Sequence, residues 1–206
     1  MRNLVIILIV AVITSCNSSK KRPIIGDSDY QIKQNAIFKD ASKSPLKKKD
    51  LKNFKGLDFF PIDSSFIVEA NLELTPEAQI FKMATTTDRK PEYKQYGILT
   101  FDLKGKSHQL SLYRSQEEKD SEEYKDYLFL PFTDLTSGEE SYGGGRYMNL
   151  FISDIKNGKL TLNFNNTYNP YCAYNEKYSC PITPRKNHLD VAIRAGIKTF
   201  KKVKID

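Results

Sequence analysis

The sequence predicts a mainly β fold, an antiparallel barrel or sandwich preceded by one or two short helices. Three observations carry this. Beyond Gly56 the apolar residues recur with a period of two, in short runs separated by turn residues. Two separators, Lys104-Gly105-Lys106 and Asn157-Gly158, are hairpin-type turns. Helical spacing is confined to the stretch before Gly56. A barrel is preferred to a sandwich, because closure removes exposed strand edges.

Asp27 or Ser28 can cap a first helix over 29–41, on which Tyr30, Gln34, Ile37, Phe38 and Ala41 share a face. Ser44-Pro45 restarts the chain, since Pro is tolerated at a first helical position, and a second helix spans 46–55. In 66–74 the positions Phe66, Val68, Ala70, Leu72 and Leu74 alternate with Ile67, Glu69, Asn71 and Glu73, the pattern of a half-buried strand. A second strand covers 79–87, with a turn at 88–91. Strands 96–103 and 107–113 flank Lys104-Gly105-Lys106. The charged stretch 116–125 loops out before an apolar strand at 127–132. Strands 146–154 and 159–164 flank Asn157-Gly158 as a second hairpin, and Leu189, Val191 and Ile193 alternate near the end.

The first residues supply an address. Arg2 is followed by an unbroken apolar run from Leu4 to Ile13. That run fits a signal peptide and is shorter than the roughly 20 residues a spanning helix needs. Ile13-Thr14-Ser15-Cys16 then reads as a lipobox, with Cys16 the lipid attachment site. The chain divides into a lipoprotein signal peptide over 1–15, a tether over 16–28 rich in Ser, Lys and Arg, and a single β-rich domain over 29–206. Several acyl chains anchor a protein without any spanning helix. Asn17 follows the cysteine where an Asp would point to inner-membrane retention, so the expected location is the outer membrane, facing the periplasm. The net charge of +7 gathers at Lys20-Lys21-Arg22, Lys47-Lys48-Lys49 and Lys201, Lys202 and Lys204. Such clusters beside an anchor attract anionic head groups or are simply solvated. Nucleic acid is not expected as a partner of an exported chain.

Three stretches say more than composition: FLPFTDLTSGEESYGGGRY at 129–147, LNFNNTYNPYCAYNEKYSCP at 162–181 and NHLDVAIRAG at 187–196. Together with SPL at 44–46 and FKGLDFFPID at 54–63, they resemble a bacterial family catalogued as domain of unknown function 1684. Its pattern runs F-x-D-x-T-x-G, Gly-Arg-Tyr, D-F-N-x-A-Y-N-P-x-C-A, Cys-Pro, then N-x-L and A-G-E-K. The chain departs from it at Asn163, Thr167 and Ile197. The resemblance implies kinship and no activity.

Cys172 and Cys180 close a loop of nine residues, 172 through 180, bracketed by Pro170 and Pro181. An oxidising compartment makes a disulfide the default, which on the chain-entropy model adds about 2.6 kcal/mol for such a loop. A zinc site needs about four ligands. With only His108 and His188 to draw on, no metal is expected, nor any cofactor. Asp134, Thr136 and Gly138 form a turn, and Gly143-Gly144-Gly145 leads into Arg146. Arg146 pairs with Asp134 in a partly buried bidentate ion pair, or it receives a carboxylate or phosphate ligand. Asn165, Tyr168, Asn169 and Asn187 satisfy loop amides, or line a site for a neutral polar ligand. The candidate ligand-binding set is Asp134, Tyr142, Arg146, Asn165, Tyr168 and Asn169. No Ser-His-Asp grouping, G-x-S-x-G motif or carboxylate pair points to catalysis. The expectation is a non-enzymatic module binding a small molecule or an envelope protein. The alternatives are an envelope hydrolase using Asp134 and Arg146, and a structural envelope component.

Overall fold

Ser28 opens the first element: its hydroxyl accepts from the Gln31 amide at 3.3 Å, and helix α1 follows over Asp29–Lys39. The structure, a computed structural model, describes residues 26–117 and 119–201. The expected signal peptide, Cys16 and most of the tether lie outside those residues. Helix α2 is only Lys48–Lys52, shorter than the sequence predicts. Its starting residue, Lys47, provides no side-chain cap, and the Asn53 amide turns back to Asp50 and Leu51. Leu46 and Leu57, on either side of it, leave the helical path and are buried with Phe38 and Tyr174.

Eight strands follow: β1 Ile67–Leu74, β2 Ile80–Lys82, β3 Glu92–Leu103, β4 Lys106–Ser115, β5 Tyr127–Asp134, β6 Arg146–Phe151, β7 Lys159–Asn163 and β8 His188–Leu189. The hydrogen-bonded order is β6-β5-β4-β3-β1-β7, with β2 on β3 and β8 parallel to β5. The mainly β class is as the sequence predicts, but the sheet is a curled half-barrel and does not close. The β3–β4 hairpin turns where expected, at Lys104 (φ 51°) and Gly105 (φ 77°), with Leu103 opposite Lys106.

The second turn corrects the predicted hairpin. Asn157 and Gly158 do adopt positive φ, 51° and 72°. Lys156 pairs with Lys159 across them, yet β6 and β7 do not pair. The reason lies at Asp126. Its carboxylate accepts from the Ser153 amide at 2.8 Å and the Ser153 hydroxyl at 2.6 Å, while its carbonyl accepts from the Ile152 amide. These bonds wind Ile152–Asp154 into a 3-10 turn and end β6. Strand β7 then joins β1, with Val68 opposite Leu162. Two strands adjacent in sequence thus form the two ends of one sheet. Their short connection, itself folded into two turns, holds those ends near each other, and the sheet curls.

The concave face buries Leu99, Leu112, Leu128, Leu130, Phe132 and Leu162. Burying each such side chain is worth roughly 1.5–3 kcal/mol. The opposite face carries Met83, Tyr113, Phe129 and Tyr147, packed with Phe81, Tyr93, Tyr127 and Tyr168. Strand β5 is therefore covered on both sides, which is why 128–132 is continuously apolar rather than alternating.

Strands β4 and β5 pair directly at Tyr113 and Phe129. Further along, Pro131 has no amide to offer. Asn187 fills the gap. Its side-chain amide donates to the carbonyls of Ser111 (2.8 Å) and Pro131 (2.7 Å) and accepts from the Ser111 amide (2.9 Å). Its own carbonyl accepts from the Thr133 amide. One fully buried side chain stands in for a stretch of backbone ladder. Asn187→Leu leaves the Ser111 amide and two carbonyls buried without partners, and should cost about 3 kcal/mol. Urea unfolding checks this. An unshifted midpoint would show that β4 and β5 pair without Asn187.

Candidate functional site

Arg146 begins β6 opposite Phe132 of β5. Its side chain and that of Asp134 are both 0% exposed. One Arg146 nitrogen, Nη2, donates to Asp134 Oδ2 at 2.8 Å and to the Ile193 carbonyl at 2.8 Å. The other, Nη1, donates to the carbonyls of Ala195 and Ile197. The rings of Phe60 and Phe132 lie 5.8 and 5.4 Å from the guanidinium. Asp134 Oδ1 accepts from the Thr136 amide (2.8 Å) and the Ile193 amide (3.1 Å). Burial pulls the Arg146 guanidinium below its ordinary value, opposed by the charge of Asp134.

The three carbonyls come from residues 193, 195 and 197 of a segment that bends at Ala195 and Gly196, where Gly196 takes φ 75°. Gly196 lies between two of them. A Cβ there would stand 2.0 Å from Thr167 Oγ1 and 2.6 Å from the Phe164 carbonyl, so only glycine lets this segment approach β7's end. The pairing foreseen as partly buried and bidentate is fully buried, and its carboxylate contact is through Nη2, with Nη1 turned to backbone carbonyls and Nε left without a hydrogen-bond partner. Neither Asp134 nor Arg146 presents a face to solvent on which a ligand or substrate could sit.

The remaining candidates separate. Asn165 accepts from the Asp63 amide (3.0 Å) and donates to the Asp63 carbonyl (2.9 Å), splinting the chain before β1. Asn169 donates to the Lys198 carbonyl at 2.9 Å and is buried. The Tyr168 hydroxyl donates to Asn149, which also accepts from Tyr127. Tyr168 also pairs with Tyr147 through two backbone hydrogen bonds. Burial raises the phenols of Tyr147 and Tyr168. Tyr142, like Tyr168, is half-exposed, and it reaches the cysteine loop.

Cys172 and Cys180 are both free thiols, set side by side, Cys172 half-buried and Cys180 buried. The Cys172 amide donates to Cys180 Sγ at 3.2 Å. The side chains of Cys180, Thr86 and Tyr142 lie against Cys172 sulfur, and the Thr86 hydroxyl donates to the Tyr178 carbonyl at 3.2 Å. The loop is stitched to Thr85–Thr87: the Thr86 amide donates to the Cys180 carbonyl, and the Cys180 amide to Thr86 Oγ1 at 3.1 Å. This is why β2 ends at Lys82 when the sequence predicts a strand to Thr87. Thr85 pairs with Pro181 instead. The bond from Cys180 foremost, with Thr86, Tyr142 and the Cys172 amide, lowers the Cys172 thiol to about 6 against the opposing effect of burial. The Cys180 thiol is pushed up, first by its bond to Cys172 and then by burial. The threonines and Tyr147 were invisible as site residues, since a run of β-branched residues reads only as strand.

A curled antiparallel half-barrel with a buried Asp–Arg clasp and a thiol loop on its rim defines a small mainly β class of protein. The chain belongs to the family described as Protein of unknown function (DUF1684), whose model matches residues 52–198. It is also similar to an uncharacterized protein of Haloarcula marismortui solved by solution NMR. The two share 35% identity with a TM-score of 0.64, over 82% of this chain and 90% of that one. No curated protein matches the sequence.

Replacing Arg146 with Ala leaves Asp134 buried without its counter-charge and frees three carbonyls, an expected loss of about 3–5 kcal/mol. Arg146→Lys cannot reproduce the fork and should lose most of the same. A urea midpoint within experimental error of the parent for either variant would remove the clasp from its structural role.

Proposed function

We propose that this chain is a lipid-anchored envelope protein whose β domain is a non-enzymatic binding module, held at the outer membrane and facing the periplasm. The observation that carries the anchor is Ile13-Thr14-Ser15-Cys16 directly behind a ten-residue apolar run, residues 4–13. Among the described residues no helix is long and apolar enough to cross a membrane.

The ligand face we assign is the rim around the 169–181 loop. Asp134 and Arg146 spend their donors and acceptors on the protein itself, which takes away the footing for a hydrolase built on them. A cavity of 110 Å³ lies between Leu57, Asp58, Tyr174, Ile197 and Phe200, and Arg146 does not line it. Pockets that enclose small ligands are larger, about 300–1,000 Å³. Recognition therefore falls to the surface. There Tyr171 is 41% exposed and Ile182 50% exposed, one just before Cys172 and the other just after Cys180 in the chain, with the Tyr171 and Tyr178 rings 5.3 Å apart. Aromatic and aliphatic side chains beside polar hydroxyls suit a small molecule or an envelope protein laid across the rim.

Cys16→Ser should move the protein from the membrane pellet to the soluble periplasmic fraction, and intact mass should lose the diacylglyceryl and acyl increments. An unchanged pellet fraction, or a parent mass without lipid, would overturn the anchor.

A further inference from the structure

We propose that Cys172 and Cys180 form a thiol–disulfide exchange site whose ligands are disulfide-bearing molecules, Cys172 attacking and Cys180 resolving. The proposal rests on the 169–181 rim being the ligand face and is independent of the membrane anchor. It names the chemical class that the rim takes.

The geometry divides the two sulfurs by role. Cys172 is the half-buried one, and Cys180 is 7% exposed beneath it. Two side-chain donors, the Cys180 thiol and the Tyr142 hydroxyl, face Cys172 sulfur, while the Thr86 hydroxyl donates to the Tyr178 carbonyl. Such donors favour a sulfur that carries charge. Thr86 is held in place by its own pairing with Cys180, amide to carbonyl and amide to hydroxyl. Tyr142 stands against Gly144, where a Cβ would come within 2.6 Å of the phenol ring. The sulfur is therefore presented by a fixed frame rather than a loose loop. Its thiol is drawn below the ordinary value, so more of it is thiolate at neutral pH than the few per cent of an ordinary cysteine near 8.5.

The exchange balances. Cys172 thiolate attacks one sulfur of an incoming disulfide R–S–S–R′. The Cys172–S–R bond forms, the S–S bond breaks, and R′–S⁻ leaves and takes a proton from water. Cys180 then gives up its proton and attacks Cys172 sulfur. The intramolecular disulfide forms and R–S⁻ leaves. The ligand is reduced to two thiols and the protein dithiol is oxidised by two electrons. Run backwards, the bridge passes to a dithiol. Tyr171 and Ile182, exposed within two residues of Cys172 and Cys180 in the chain, offer a disulfide's substituents an apolar footing.

The test uses the full lipidated chain in detergent, reduced and desalted, then mixed with glutathione disulfide and followed by intact mass and peptide mapping. Wild type should lose two hydrogens without a lasting adduct and release two glutathione thiols per chain. Cys180→Ser should hold a glutathione adduct mapped to Cys172, while Cys172→Ser should react at Cys180 about tenfold more slowly or worse. Because the thiolate is the reactive form, the wild-type rate should rise with pH to a plateau with a midpoint below that of an ordinary cysteine, and Tyr142→Phe should move that midpoint upward. A parallel arm with a synthetic peptide closed by one disulfide separates sources. Faster oxidation by the peptide assigns peptide disulfides, faster oxidation by glutathione disulfide assigns small ones. A bridge present from the start and untouched by excess reduced glutathione would make this a structural disulfide and overturn the proposal. So would Cys180→Ser with no adduct. Labelling found on Cys16 would count against the anchor alone.

Discussion

The structure hangs on one side chain meeting backbone it did not inherit from any ladder. After β7 the chain runs for some forty residues with almost no regular structure, so its amides and carbonyls need partners from elsewhere. Arg146 supplies donors to three of those carbonyls at once, at Ile193, Ala195 and Ile197, and Asp134 takes the Ile193 amide in return. A buried ion pair alone is weak evidence of stability, since desolvation offsets much of the attraction. Here the charges do more than face each other. The guanidinium is the one group with enough fixed donors to hold this bent segment against the end of a sheet, and the carboxylate keeps it charged and aimed. An apolar pair of equal volume would fill the space and leave the segment unheld.

Asn187 solves the same problem on the other side of β5. Pro131 leaves a gap in the ladder, and a side-chain amide replaces the missing backbone with matched donors and acceptors. Asn165 does likewise for Asp63. The polar residues that looked like a ligand-binding set are thus mostly substitutes for secondary structure. With the tail fixed at Asn187 and at 193–197, the 169–181 loop is suspended between two backbone seams, Tyr147 with Tyr168 and Thr86 with Cys180. What remains at the surface is the rim with its two sulfurs.

Much of this architecture was legible in the sequence, and the misses have physical causes. The Ser28 cap, the alternation of 66–74 and the turn at Lys104-Gly105 depend on neighbours in the chain, and each appears where local chemistry puts it. Asn157-Gly158 also turns as its residues require. What it joins was not readable, because Asp126, some thirty residues away, ends β6 and sends β7 to the far side of the sheet. Leu189, Val191 and Ile193 alternate like a strand, yet only His188–Leu189 pairs as one. Beyond it the backbone partners are side chains, which no periodicity reveals. The Asp134–Arg146 pairing could be read as an ion pair from the turn that precedes it. Its complete burial depends on a segment fifty residues downstream, and so does its unsuitability as a ligand site.

The thiols' position bears on how a bridge between them would act. The entropy a short bridge removes belongs to the unfolded chain. In the folded chain the loop is already fixed by hydrogen bonds that involve neither sulfur: Thr86 to the Cys180 carbonyl, Ile182 to Ala84, and the two between Tyr147 and Tyr168. The dithiol therefore holds the loop in place without a bond between the sulfurs, and making or breaking that bond need not unmake the fold. A bridge that served only to hold the loop would duplicate those seams. The placement of a half-buried sulfur beside the Tyr142 hydroxyl, with its partner thiol buried against it, is better matched to a pair that opens and closes on a frame held rigid by other means.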